Sequence, residues 1–226
     1  MRIPRAAIWH ATHVVPVLAA VLALSAVTDW VAVWRDNRRV ETVAKPLVMV
    51  ALGALALALG AGGTGHGGLI LIALFFGLVG DVFLLRDTEF RFMAGLVAFL
   101  LGHLAYVGAF LSIRYVPLFG VLGALVVLGV IWTAGRRILR AVARDEPRLG
   151  PYVSAYMVVI AAMVVTAWAT GLLLVALGGT IFMVSDTLLA LDRFAQPATV
   201  TWRWARTTVM VTYHVGQVLM VVGALR

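Results

Sequence analysis

The stretch GLVGDVFLLRDTEF, residues 77–90, puts a carboxylate, Asp81, five residues before the arginine that closes an apolar run. FMVSDTLLALDRF at 182–194 repeats the arrangement with Asp186, and SAVTDWVAVWR at 25–35 repeats it with Asp29. An acid inside a membrane span costs about 2.5–3.5 kcal/mol even on a permissive insertion scale, so its presence asks for a reason.

The surroundings of these acids are suited to lipid. Of 226 residues, 63% are hydrophobic and 12% charged, with a mean hydropathy of +1.03. A soluble domain is nearer half apolar and a quarter charged, so the chain reads as an integral membrane protein. There is no cysteine, which excludes disulfides, thiolate metal sites and a cysteine nucleophile. The formal charge of +8 is spread between the apolar runs rather than along one stripe. The basic residues are therefore topology anchors and headgroup contacts, and no nucleic acid is expected as a partner.

A span needs about 20 apolar residues. Runs and breaks predict an all-α polytopic fold, one transmembrane domain over 1–226, with eight spans at about 14–34, 45–61, 67–86, 91–113, 115–134, 151–169, 171–192 and 204–225. GAGGTGHGG forms a tight turn after the second span, and only Gly171 separates the sixth from the seventh. GRRILRAVARDEPRLGP, at 135–151, reads as an interfacial amphipathic helix with Arg136, Arg137, Arg140 and Arg144 outward. Arg2 and Arg5 imitate a signal-peptide n-region, but the first run continues through Trp30 and Trp34 to an arginine cluster, as an anchored span does. The first, third, fifth and seventh connections carry 4, 2, 5 and 3 basic residues, whereas the other side has Arg2, Arg5, Arg114 and Arg226. That bias predicts an inner (plasma) membrane protein with both termini outside and the arginine-rich loops cytoplasmic.

Asp29, Asp81 and Asp186 fall on spans one, three and seven, which run in the same direction. They precede the next arginine by 6, 5 and 7 residues, a depth of about 8–10 Å at 1.5 Å per residue. Lys45, Tyr152 and Tyr156 enter the same layer from spans two and six; His103 with Tyr106, and Tyr213 with Gln217, sit deeper. Together they predict a polar cavity open toward the inner leaflet. Asp29, beside Trp30, reads first as an interfacial residue reaching the headgroups and second as a member of that cavity. A structural role also competes: Lys45 neutralising an aspartate, or His103 satisfied between helices. D-V-F-L-L at 81–85 and D-T-L-L-A at 186–190 are each followed one span later by a histidine, His103 or His214, with a polar residue three on. This faint echo suggests two four-helix halves.

AKPLVMVALGAL at 44–55, GDVFLL at 80–85, F-x-x-G-L-x-x-F-L-x-G-H-L-x-Y at 92–106, P-Y-V-x-x-Y at 151–156, F-x-x-S-D-T-L-L-A at 182–190 and Y-H-V-G-Q at 213–217 together resemble the lysoplasmalogenase, or YhhN-like, family of membrane proteins. The resemblance covers nearly the whole chain in order. It implies eight spans and hydrolysis of the vinyl ether bond of a lysoplasmalogen, or related lysophospholipid, to a fatty aldehyde and a glycerophospho-headgroup. It also implies Asp81 and Asp186 as the catalytic pair, with Lys45, His103, Tyr152, Tyr213 and Gln217 as site-lining matches; Tyr106, Tyr156, Ser185 and Asp29 are further candidates to line the site.

The chemistry suits two carboxylates. Vinyl ether hydrolysis protonates the terminal alkene carbon, and water captures the oxocarbenium ion that results. One acid must hold a proton while the other remains an anion, as in glycoside hydrolysis. Lys45 would help the anion, His103 would relay protons, and arginines around Arg86, Arg91 and Arg148 would hold the phosphate. No metal or cofactor is expected. The alternative reading is a proton-coupled transporter of a small solute or lipid, which also wants membrane carboxylates and a histidine. An intramembrane aspartyl protease is disfavoured because Leu78 replaces the first glycine of its G-x-G-D motif. A zinc hydrolase is disfavoured because His10, His13 and His66 lie toward the opposite surface. Axial haem ligation by His103 and His214 is a distant option.

Overall fold

A computed structural model describes residues 13–86, 88–195 and 203–226, with Arg203 described by its backbone alone. Arg2, Arg5 and His10 lie outside the described residues. The chain is an all-α polytopic membrane protein. Helices α1 (Val15–Trp34), α2 (Arg38–Ala58), α3 (Gly65–Leu84) and α4 (Glu89–Leu111) form the first four spans. Helix α5 (Pro117–Val130) runs through a π-turn (Ile131–Gly135) into α6 (Arg136–Asp145), and these three pieces make the fifth span. Helices α7 (Gly150–Ala169), α8 (Leu173–Ala190) and α9 (Arg203–Leu225) complete the set. Eight stretches are thus long and apolar enough to cross a bilayer among the described residues. Lipid offers no hydrogen bonds to a backbone, and a helix satisfies its own.

Several helix ends fall where local capping chemistry is strong, and the second helix begins at Arg38, ahead of the expected start near residue 45. Asn37 caps α2, Thr64 caps α3 and Thr88 caps α4, each accepting a backbone N–H three residues on. The break between the sixth and seventh spans works because Gly171 takes φ +70°, a conformation open to glycine at little cost. The arginine-rich segment forms a helix, as expected, but one continuous with the fifth span: α6 continues α5, and only Glu146–Leu149 separates it from α7. Its amphipathic character remains, with Ile138, Ala141 and Val142 buried and Arg136, Arg137, Arg140 and Arg144 exposed. The buried stripe packs on the neighbouring π-turn Leu191–Ala195 at the end of α8, which gives this face a reason to extend the bundle.

Seven helices close a ring. Helix α1 packs on α2, α2 on α3, α3 on α4, α4 on α7, α7 on α8, α8 on α9, and α9 returns to α1. Helix α5 packs on α7 from outside and exposes Leu118, Leu122, Leu125 and Leu128. The crossing of α8 and α9 is close enough that a Cβ at Gly178 would lie 2.7 Å from the Met220 nitrogen, and one at Gly216 would lie 2.9 Å from the Phe182 nitrogen. Such small-residue contacts bring membrane helices together without a hydrophobic driving force. The close α8–α9 contact holds Phe182 and Asp186 against the interior of the ring.

Candidate functional site

Two carboxylates enter the ring from opposite directions. Asp81, on α3, faces α2 and α9. Its Oδ1 lies 3.4 Å from Lys45 Nζ, and its Oδ2 accepts a 2.9 Å hydrogen bond from the Tyr213 hydroxyl. Asp186, on α8, faces α7 and α4: its Oδ2 accepts a short hydrogen bond from the Tyr156 hydroxyl and lies 3.9 Å from His103 Nε2. The Phe182 ring, one helical turn before Asp186, stands between the groups. Its centroid is 5.0 Å from that of His103 and 5.3 Å from that of Tyr213, both edge to face. Lys45 is the ammonium that meets Asp81 in a nearly water-free setting, where a charge pair needs such direct contact to offset its desolvation. Helix α2 presents it through a buried stripe at i, i+4 spacing, Glu41, Lys45 and Met49. Pro46, next to Lys45, removes the amide donor that would otherwise close on the Thr42 carbonyl.

Both carboxylates line one polar vestibule of about 340 Å³. Its outer rim is charged, with Arg206 held by Asp36 at 3.1 Å and Glu41 at 3.3 Å. Asp186 also lines a narrow second cavity of about 90 Å³ between α4, α5, α7 and α8. Its wall is apolar except for Tyr156, Asp186 and Thr187. A third, charged groove of about 660 Å³ carries three arginines, Arg86, Arg148 and Arg193, and three carboxylates, Glu89, Asp145 and Glu146. Leu84 and Phe92 line all three spaces, so they meet at one point.

The other expected residues divide. Tyr106 and Gln217 are buried and bonded to each other, Tyr106 Oη donating to Gln217 Oε1 at 2.5 Å. That bond joins the polar residue of the α4 histidine motif to its counterpart on α9. Ser185 lines the vestibule, but its hydroxyl donates to the Val209 carbonyl at 2.8 Å. Tyr152 stands 54% exposed and is not brought to the carboxylates. Four residues turn a helix by about 400°, so moving one turn from Tyr156 back to Tyr152 rotates the side chain a further 40° from the packed Val153–Ile160 face. Asp29 is a correction to its interfacial reading. It is 0% exposed, and neither carboxyl oxygen has a hydrogen-bond partner among the described residues. Trp30 donates to His214 Nδ1 at 3.0 Å, which takes the tryptophan to the interior as well, rather than to the headgroups. Arg91 lines none of the three spaces.

Sequence reasoning missed Phe182, Glu41, Met49 and Arg193. The first three were visible as i, i+4 neighbours of Asp186 and Lys45. Arg193 lies on a π-turn, whose altered register a 3.6-residue period does not anticipate.

These features define an integral membrane protein of eight spans with a buried carboxylate pair opening on an internal cavity. The chain belongs to the YhhN family, whose pattern matches residues 40–224. Helix α1, and with it Asp29, falls outside the matched segment. Lysoplasmalogenase TMEM86B of Homo sapiens is 33% identical, over 72% of this chain and 66% of its own length. Lysoplasmalogenase TMEM86A of Bos taurus is 28% identical, over 69% of this chain and 64% of its own. The aligned part thus spans just under two thirds of each of these relatives. No solved structure matches the chain.

Proposed function

We propose that this protein hydrolyses the vinyl ether bond of a lysoplasmalogen or a closely related lysophospholipid, releasing a fatty aldehyde and a glycerophospho-headgroup. One observation carries the reading: Asp186 lines both the apolar cleft and the polar vestibule, with Asp81 on the wall of the same vestibule. A single-chain lipid has its vinyl ether where the chain gives way to the headgroup. With the chain in the cleft and the glycerol in the vestibule, that bond lies beside Asp186. The relatives named as lysoplasmalogenases support the substrate class.

The two acids have different surroundings, and this divides their roles. Asp81 has an ammonium and a phenol to stabilise an anion. Asp186 has a phenol and a histidine but, among the described residues, no lysine or arginine in contact. Since an uncompensated buried carboxylate is very costly, Asp186 is the one that enters as the neutral acid. It gives its proton to the alkene carbon remote from oxygen, and the double-bond electrons form that C–H bond. The resulting oxocarbenium ion is stabilised by the Asp81 carboxylate, as in glycoside hydrolysis. Water adds to the cationic carbon and loses a proton to a carboxylate. The hemiacetal then breaks its bond to the glycerol oxygen, which leaves with a proton as the alcohol, and the aldehyde departs. The net change is addition of one water. His103, 3.9 Å from Asp186, is placed to carry protons back to it.

The arginine-rich connections at the vestibule end are assigned to the cytoplasm on the positive-inside rule, which puts both termini outside. The test is purified protein in detergent or nanodiscs with lysoplasmalogen, followed by aldehyde release. Hydrolysis is expected. No aldehyde, together with solute or lipid flux in proteoliposomes, would replace this reading with a transporter.

A further inference from the structure

Arg193 sits where the three spaces meet. It lines both the charged groove and the vestibule. Its guanidinium donates twice to Glu146, Nη1 to Oε1 at 2.8 Å and Nη2 to Oε2 at 3.3 Å. The same guanidinium lies 5.3 Å from the Phe92 ring centroid and 5.2 Å from that of Phe194. Phe92 lines all three spaces, while Phe194 lines the cleft. One cation therefore contacts the walls of all three.

Two properties make this arrangement more than a surface ion pair. The Arg193 and Glu146 side chains are 40% and 34% exposed, so their pairing adds little stability and is readily exchanged. The aromatic contacts do not depend on Glu146, and they hold the planar fork in place while one bidentate acceptor replaces another. The groove beside it adds Arg86 and Arg148, along with the carboxylate of Glu89. Asp145, also on that wall, is occupied by Arg144 at 2.7 Å. Arg193 follows Asp186 by seven residues, about 10 Å along the helix. An anion at the guanidinium and a reactive bond at Asp186 are then separated by roughly a glycerol-sized bridge plus the arginine's own reach.

Resting on the proposed function, we propose that Arg193 is the phosphate anchor of the site, exchanging Glu146 for the phosphodiester of a bound lysophospholipid and so fixing the distance from headgroup to Asp186. Arg193 is a specificity and positioning residue here, and Glu146 is its resting partner and competitor.

The experiment measures equilibrium binding and needs no turnover, so it is independent of whether the lipid is cleaved. Lysophosphatidylcholine, monoacylglycerol of the same chain length and inorganic phosphate are titrated into wild type, Arg193→Gln, Arg193→Lys and Glu146→Gln. Arg193→Gln should weaken lysophosphatidylcholine binding at least about tenfold, the scale of a hydrogen bond to a charged group, and leave monoacylglycerol binding unchanged. Arg193→Lys should recover only part of the loss, because an ammonium lacks the fork. Glu146→Gln should tighten lysophosphatidylcholine binding by removing the competitor, and this arm remains decisive should Arg193→Gln fail to fold. Inorganic phosphate should not displace the lysolipid at matched concentration. Equal loss for both lipids, unchanged lysophosphatidylcholine binding, weaker binding in Glu146→Gln, or full competition by free phosphate would each overturn the anchor. Retained discrimination without aldehyde release would instead sink the hydrolase reading and leave the anchor standing.

Discussion

Lys45 Nζ lies 3.4 Å from Asp81 Oδ1, with the two side chains 5% and 1% exposed. The pair joins α2 to α3 and gives Asp81 a counter-charge that, among the described residues, Asp186 lacks.

Removing the ammonium alone should therefore do more damage than removing the pair. Lys45→Met leaves a buried charge without its partner and should destabilise the protein by about 3–5 kcal/mol. Lys45→Met with Asp81→Asn should recover much of that loss. Thermal unfolding in detergent measures both, and a double variant as unstable as the sum of its singles would mean that the contact carries no coupling.

Asp81→Asn and Asp186→Asn should each lower aldehyde release by about 10²–10⁴-fold, the usual contribution of a positioned acid or base. For Asp186→Asn, a nearly isosteric change at a carboxyl outside any Lys or Arg pair among the described residues, elution volume and unfolding temperature should stay close to wild type. Asp81→Asn leaves the Lys45 ammonium unpaired and should lower the unfolding temperature, so its release is measured on the fraction that elutes as folded protein. Undiminished release in both variants would end the acid-pair mechanism.

The tyrosines offer an internal control. Tyr213→Phe deletes a hydrogen bond to the ionised Asp81 and should cost roughly 1.5–3 kcal/mol in stability or in the barrier to reaction. Tyr156→Phe deletes one to the neutral Asp186 carboxyl and should cost about 0.5–1.5 kcal/mol in either. Tyr152→Phe, at a side chain 54% exposed, should change neither beyond about 0.5 kcal/mol. A large effect at Tyr152 would place the site elsewhere on α7.

At the α8–α9 crossing there is no room for a side chain. Gly216→Ala puts a Cβ 2.9 Å from the Phe182 nitrogen, so the helices must separate at a cost of about 1–3 kcal/mol. Because Phe182 lies one turn from Asp186, activity should fall along with the unfolding temperature. Gly53→Ala, with nothing within 4 Å of the new Cβ, should be silent in both measurements.

The sequence was most informative along the membrane normal. Apolar runs, caps and the left-handed Gly171 specify where each helix starts and stops, and the rise per residue sets the common depth of the three acids. Rotation about each helix axis was much harder to read. In a soluble protein the polar face marks the outside, but here lipid and protein interior are equally apolar, so a span carries little record of which side faces in. Tyr152 and Tyr156 illustrate this: they share a depth range in sequence, yet only the second reaches a carboxylate. Asp29 illustrates it again, since its neighbour Trp30 suggested the membrane surface while packing turned both residues inward.

Length, depth and the presence of costly acids were thus properties of the chain itself, because they depend on local hydrogen bonding and on transfer from water. The partners of those acids belong to the tertiary structure alone. Lys45 meets Asp81, Tyr156 meets Asp186, and Arg193 reaches both polar spaces because the ring of helices closed in one set of rotations, chosen by the fit of small and large side chains.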